Sequence, residues 1–168
     1  HYATPIKLGI YFIALSFGVL ASILVNFGSS QTAVVEIRRA NNENEKAVIS
    51  AETLAIRFYP LCIAVLVTVV VSAASDKGVY YLAILPMLFA EFINPQFYLT
   101  AEYKINKYSI LNIVIRTLVL GVIYFFRNND QLIFIALFSS GLGMFLLNAL
   151  FFKQAFFATQ LNVLCPSI

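Results

Sequence analysis

The sequence predicts an all-α fold, a polytopic membrane helical bundle, on three observations. The first is composition: 61% of the 168 residues are hydrophobic and 11% are charged, with a mean hydropathy of +0.86. A soluble globular domain carries about 25% charged residues, so 19 charged side chains could not cover a water-facing surface here. The second is a set of five uninterrupted apolar runs of 18 to 23 residues, close to the roughly 20 residues that cross about 30 Å of hydrocarbon as a helix. The third is segregation of charge. The five runs total 102 residues and hold two charges, while the other 66 residues hold 17. Lipid imposes that pattern by excluding ionised groups from the spans. A transmembrane β-barrel is excluded, since it needs strands of about 10 residues with strict alternation.

The first span is Leu8–Phe27. It is too long for a signal peptide, and no small-residue cleavage site follows it. Ala14, Gly18 and Ser22 recur at four-residue spacing, followed by Asn26, which marks a close-packing face. The long connector 28–57 follows. Its polar centre, Asn41–Lys46, reads as a solvated turn, and its flanks, Gln31–Arg39 and Ala47–Arg57, as helical extensions of the neighbouring spans. Ser50 is the expected cap of the second flank, with Glu52 and Thr53 in its first turn.

The second span, Phe58–Ser75, turns tightly through Asp76-Lys77-Gly78 into the third, Gly78–Thr100. The third span contains Pro86 and Pro95. Proline removes a backbone donor and frees a carbonyl, so this helix is expected to kink. After the connector 101–107 comes the fourth span, Tyr108–Phe126, then a turn at Arg127-Asn128-Asn129-Asp130 and the fifth span, Gln131–Phe152. Ser139 and Gly143, beside Ser140 and Gly141, form its small-residue packing face. Residues from 153 onward read as a tail, and 1–168 as one transmembrane domain.

Sidedness follows from the cations. Connectors 28–57, 101–107 and the tail hold seven Lys and Arg residues, and the opposite set holds three. The richer side is expected to be cytoplasmic. The chain begins at His1 without a Met, and it is expected to be a piece of a longer protein, five helices of a six-helix lobe with one helix before His1.

Little of the usual enzyme chemistry is present. Cys62 and Cys165 lie far apart with no metal spacing, and the one histidine is His1, so no metal site and no Ser/His or Cys/His nucleophile is expected. Phosphate-binding Gly-rich motifs are absent. The net charge of +3 belongs to membrane-flanking connectors and points to no nucleic acid. Neither catalytic residues nor a cofactor is expected.

The two charges inside spans are Glu91 and Arg116. Each costs at least about 2.5–3.5 kcal/mol at that depth. In an antiparallel hairpin centred near Lys104 they fall at equal depth, roughly 12–14 Å from the cytoplasmic ends. Each sits on a polar stripe: Asn94 and Tyr98 follow Glu91, while Ser109 and Asn112 precede Arg116. Two readings stay open, a structural salt bridge between adjacent helices and a polar cavity that handles a charged ligand or a proton.

Several segments carry a resemblance. Leu8-Gly9-Ile10-Tyr11, Asn26-Phe27-Gly28, Glu36-Ile37-Arg38-Arg39 and Asn94–Glu102, with Ser109–Asn112 and Arg116, resemble the N-terminal half of Wzx-type O-antigen and polysaccharide flippases of the multidrug/oligosaccharidyl-lipid/polysaccharide exporter superfamily. Phe97 stands where that family usually has Trp, and Leu99-Thr100 where it has Gln-Gly. The resemblance implies two six-helix lobes around a cavity in the bacterial inner membrane. The implied activity is the flipping of undecaprenyl-diphosphate-linked oligosaccharide by alternating access. It also implies a coupling proton or sodium ion and neighbouring polysaccharide polymerase or assembly proteins. On that basis Arg116, Glu91, Asn94, Asn112 and Asn26 are the expected substrate-binding residues. The alternatives are another exporter of the superfamily, for a drug or a polymer, and a polytopic membrane enzyme of envelope biosynthesis.

Overall fold

The computed structural model describes residues 5–126 and 131–164, with side chains for 9–126 and 131–152. Among them every regular element is an α-helix: α1 Pro5–Asn26, α2 Ser29–Arg39, α3 Glu43–Ala74, α4 Gly78–Leu82, α5 Leu85–Phe92, α6 Gln96–Ala101, α7 Ile105–Phe125 and α8 Leu132–Leu164. Five segments are long and apolar enough to cross a membrane: Gly9–Arg39, Glu43–Ala74, Gly78–Ala101, Ile105–Phe125 and Leu132–Phe152. The protein is a multi-pass helical bundle. Its outward residues are apolar, with Leu20, Leu66, Leu118 and Leu150 each about two-thirds exposed, as lipid as solvent requires.

The main core joins α1, α3, the α4–α5 segment and α8 through Ala14, Val25, Leu61, Ala64, Ile84, Leu88, Ile133 and Leu137. Small residues set the approach distances. A Cβ on Gly18 would lie 2.7 Å from Ile84 Cγ2, and one on Gly141 would lie 2.8 Å from the Met87 backbone nitrogen. Ala14, Gly18 and Ser22 are buried, as the four-residue spacing implies. The α8 face is split: Gly141 meets α5, Gly143 meets Ile115 on α7, and Ser140 is exposed.

The connector 28–57 is a helical hairpin built from α2 and the first part of α3. Its turn is shorter than the sequence suggests, because helix resumes at Glu43. Asn42 is the cap, its side chain accepting from the Glu45 backbone N–H at 2.8 Å, while the Glu45 carboxylate accepts from the Asn41 N–H at 2.7 Å. Ser50 is not the cap. It lies inside α3, 1% exposed, and its hydroxyl has no hydrogen-bond partner among the described residues. Asn42 wins because a side-chain acceptor and a reciprocal Glu three residues on satisfy two orphan donors together.

The third span is broken rather than merely kinked. α4 gives way to α5 at Ala83-Ile84, and α5 to α6 at Ile93–Pro95. Pro86 stands in the first turn of α5, where its missing N–H costs nothing. α6 leaves the main core and joins the hairpin in a second cluster of Ala33, Ile37, Phe97, Tyr98 and Ala101. Ionic contacts tie the same parts: Lys46 bridges Glu43 and Glu102, both at 2.7 Å, and Arg38 donates to the Thr100 carbonyl and lies over the Tyr103 ring. Lys104 also reaches Glu102 at 3.3 Å. The Glu102 carboxyl is held below its usual range, first by the Lys46 hydrogen bond and then by Lys104, against the opposing effect of burial.

α8 continues to Leu164, so the segment from 153 is helix where a tail was expected. The turn at 127–130, His1 and Cys165 lie outside the described residues.

Candidate polar site at the broken span

The break between α5 and α6 creates the site. Pro95 has no N–H to offer the Glu91 carbonyl, and the Gln96 N–H turns to Asn94 Oδ1 at 3.0 Å instead of continuing the helix. Carbonyls at the end of α5 are therefore short of donors in an apolar bundle, a costly state. Arg57 supplies them. Its Nη1 donates to the carbonyls of Glu91, Phe92 and Asn94 at 3.2, 3.3 and 3.2 Å. Its Nε donates to Ser29 Oγ at 2.9 Å and its Nη2 to Ser30 Oγ at 2.6 Å. The guanidinium also lies 5.1 Å from the Phe97 ring centroid, within cation–π range. Arg57 is 0% exposed. It therefore belongs to the interior and not, as the count of connector cations has it, to the solvated loop.

Glu91 is held beside this node. Its Oε1 accepts from Asn26 Nδ2 at 3.0 Å and its Oε2 from Asn94 Nδ2 at 3.3 Å. Asn26 also accepts, through Oδ1, from the Ser30 hydroxyl at 2.9 Å. Ser29 and Ser30 pass the contact back to Arg57, so carboxylate and guanidinium are joined through a serine–asparagine relay. The sequence therefore identified three members, Asn26, Glu91 and Asn94, and the structure brings all three together.

Arg116 and Asn112 are elsewhere. Arg116 is exposed on α7, and its Nε donates to Asn112 Oδ1 at 3.0 Å. The direct salt bridge with Glu91, one of the two open readings, is not formed among the described residues. The reason is a helix order that sequence distance cannot see: α8 lies between. Asn148 on α8, 1% exposed, accepts from the Tyr108 hydroxyl at 2.8 Å and donates to the Ala90 carbonyl at 2.6 Å. α7 is thus held to α5 through α8.

Arg57, Ser29, Ser30, Tyr108 and Asn148 were missed by sequence reasoning. A signal for Arg57 existed. Ser50, Thr53, Arg57, Leu61, Ala64 and Thr68 are the buried face of α3, and they recur at three- and four-residue spacing, which places Arg57 on the inward stripe. A surface hollow lined by Glu36, Arg39, Asn42 and Asn44 sits at the hairpin turn, away from this node. No known protein family, curated protein or solved structure matches the chain.

Proposed function

We propose that the protein is a transporter that flips lipid-linked oligosaccharide, of the undecaprenyl-diphosphate type, across the bacterial inner membrane by alternating access. The observation that carries the reading is Arg116. It stands near the middle of the 21-residue α7, roughly 14–16 Å from either end at 1.5 Å per residue, too deep for a side chain to snorkel to water. It is exposed, and among the described residues its hydrogen bond goes to the neutral Asn112. An uncompensated guanidinium is strongly disfavoured against lipid. The face it occupies therefore borders water or an anionic ligand, and a diphosphate is the anion a planar donor fork fits best. The broken third span adds support, since discontinuous helices mark binding regions in transporters.

In this reading Arg116 and Asn112 meet the diphosphate. Glu91, Asn94 and Asn26 form a second polar group, separated from Arg116 by α8, and Glu91 is the candidate carrier of the coupling proton. The cation-rich hairpin end faces the cytoplasm. The resemblance in sequence supplies the oligosaccharide part of the substrate.

The experiment is reconstitution in proteoliposomes with a fluorescent diphosphate-linked oligosaccharide lipid, followed by quenching from outside. Protein-dependent movement between leaflets is expected, with no movement of a lipid that lacks the diphosphate. Failure to move the labelled lipid, with export of hydrophobic cations instead, favours a drug exporter of the same superfamily.

A further inference from the structure

Three chain passes enter the hairpin end of the bundle from the main core; two are interrupted where they enter, and the other carries a proline there. Between α1 and α2, Phe27 and Gly28 both take left-handed backbone angles, φ 42° and 72°. That conformation suits Gly28 and strains Phe27, which carries a Cβ. α3 carries Pro60 inside the helix, which removes a ladder hydrogen bond and is a common cause of a kink. The third pass breaks at Ile93–Pro95. Arg57 shows that the three lie at one level, because one guanidinium reaches the start of α2 and the end of α5 from a position three residues before Pro60.

Beyond that level α2, the first part of α3 and α6 share the second apolar cluster and the Lys46–Glu102 and Arg38–Thr100 contacts. We propose that these three segments form one body that swings against the main core on a hinge made of Phe27–Gly28, Pro60 and Ile93–Pro95, with Arg57 as its latch. Phe27–Gly28 and Ile93–Pro95 lie between helices and can absorb a change in φ and ψ, and α3 already lacks a ladder hydrogen bond at Pro60. The Arg57 bonds to the Glu91 and Phe92 carbonyls cross the hinge, as does the 2.9 Å bond from the Ser30 hydroxyl to Asn26 Oδ1, so loosening them releases the body. Leu99 on α6 packs with Tyr108 and Leu147, so the swing would slide α6 along α7 and α8.

The proposal does not depend on the substrate, and its test reads distance rather than transport. Spin labels are placed at Val35→Cys on α2 and Leu118→Cys on α7, both exposed, with Cys62→Ser and Cys165→Ser, in the full chain in nanodiscs. Val35 lies seven residues beyond Gly28, about 10 Å along the helix, so a swing of about 20° moves it by about 4 Å. Arg57→Gln is expected to move the main distance by about that amount. Ser30→Ala, which removes the 2.6 Å bond from Arg57 and the 2.9 Å bond to Asn26 Oδ1 that crosses Phe27–Gly28, is expected to shift a smaller part of the population the same way. Adding Pro60→Ala to Ser30→Ala is expected to reverse that shift. The proposal is overturned if the folded variants keep the parental distance distribution. If Arg57→Gln does not fold, an unshifted Ser30→Ala distribution is sufficient to overturn it.

Discussion

Replacing Arg57 by Met is expected to be among the most destabilising single changes on the spanning helices. The side chain is 0% exposed and makes five hydrogen bonds, three to carbonyls and two to serine hydroxyls. Methionine retains much of the volume and none of the donors. The serines keep other partners, since Ser29 donates to the Asn26 carbonyl and Ser30 to Asn26 Oδ1. The loss therefore concentrates on the carbonyls at the end of α5 and on Glu91, which is left without its neighbouring cation. Removing one partner from a buried charged network costs about 3–5 kcal/mol, less whatever is recovered because methionine carries no desolvation penalty. For a chain of this length that is a fall in Tm of roughly 6–20 °C. The assay is thermal denaturation in detergent, read by retention of the monodisperse peak; Trp fluorescence cannot be used, because the chain has none. Arg116→Met is the control. It is exposed with one side-chain hydrogen bond, and a change within about 0.5 kcal/mol is expected. Equal losses for the two variants would refute the assignment of Arg57 to the interior and Arg116 to an open face.

Tyr108→Phe leaves the buried Asn148 Oδ1 without its 2.8 Å donor and should cost about 1–3 kcal/mol by the same denaturation assay. Gly141→Ala pushes a methyl against the Met87 backbone nitrogen; a loss of about 1–3 kcal/mol is expected, whereas Gly121→Ala, with open space around its Cβ, should be neutral. The tie between hairpin and α6 should weaken in acid. Glu102 has a lowered pKa in the folded state, so its contribution is fully present above the ordinary carboxylate value of 4.5 and fades as pH falls below that value through the lowered one. Limited proteolysis across that range should show the hairpin opening, and Glu102→Gln should remove the pH dependence.

The class of fold was legible because lipid leaves so strong a mark on composition. Runs of 18 to 23 apolar residues allow few alternatives, and the hairpin flanks were readable as helical extensions of the neighbouring spans. Other features depended on tertiary partners. Arg57 stands one residue before the apolar run at Phe58, where a cation ordinarily snorkels to water. Only the break at Ile93–Pro95, which needs donors from another helix, draws it inward. Two prolines announced a bend in the third span but not that α6 would leave the core for the hairpin. Equal depth was the inference for Glu91 and Arg116, and depth does not fix azimuth. The insertion of α8, held by Asn148 between Tyr108 and Ala90, separates the two charges.

The most direct test of the proposed role of the open face is translocation of the labelled diphosphate-linked lipid by Arg116→Gln protein, matched to the unmodified protein for folded amount. A loss of translocation of at least about tenfold with an unchanged Tm is expected, since a charged hydrogen-bonding contact to the cargo is worth about 1.5–3 kcal/mol. Translocation at the unmodified rate would contradict the proposal that Arg116 meets the anionic cargo.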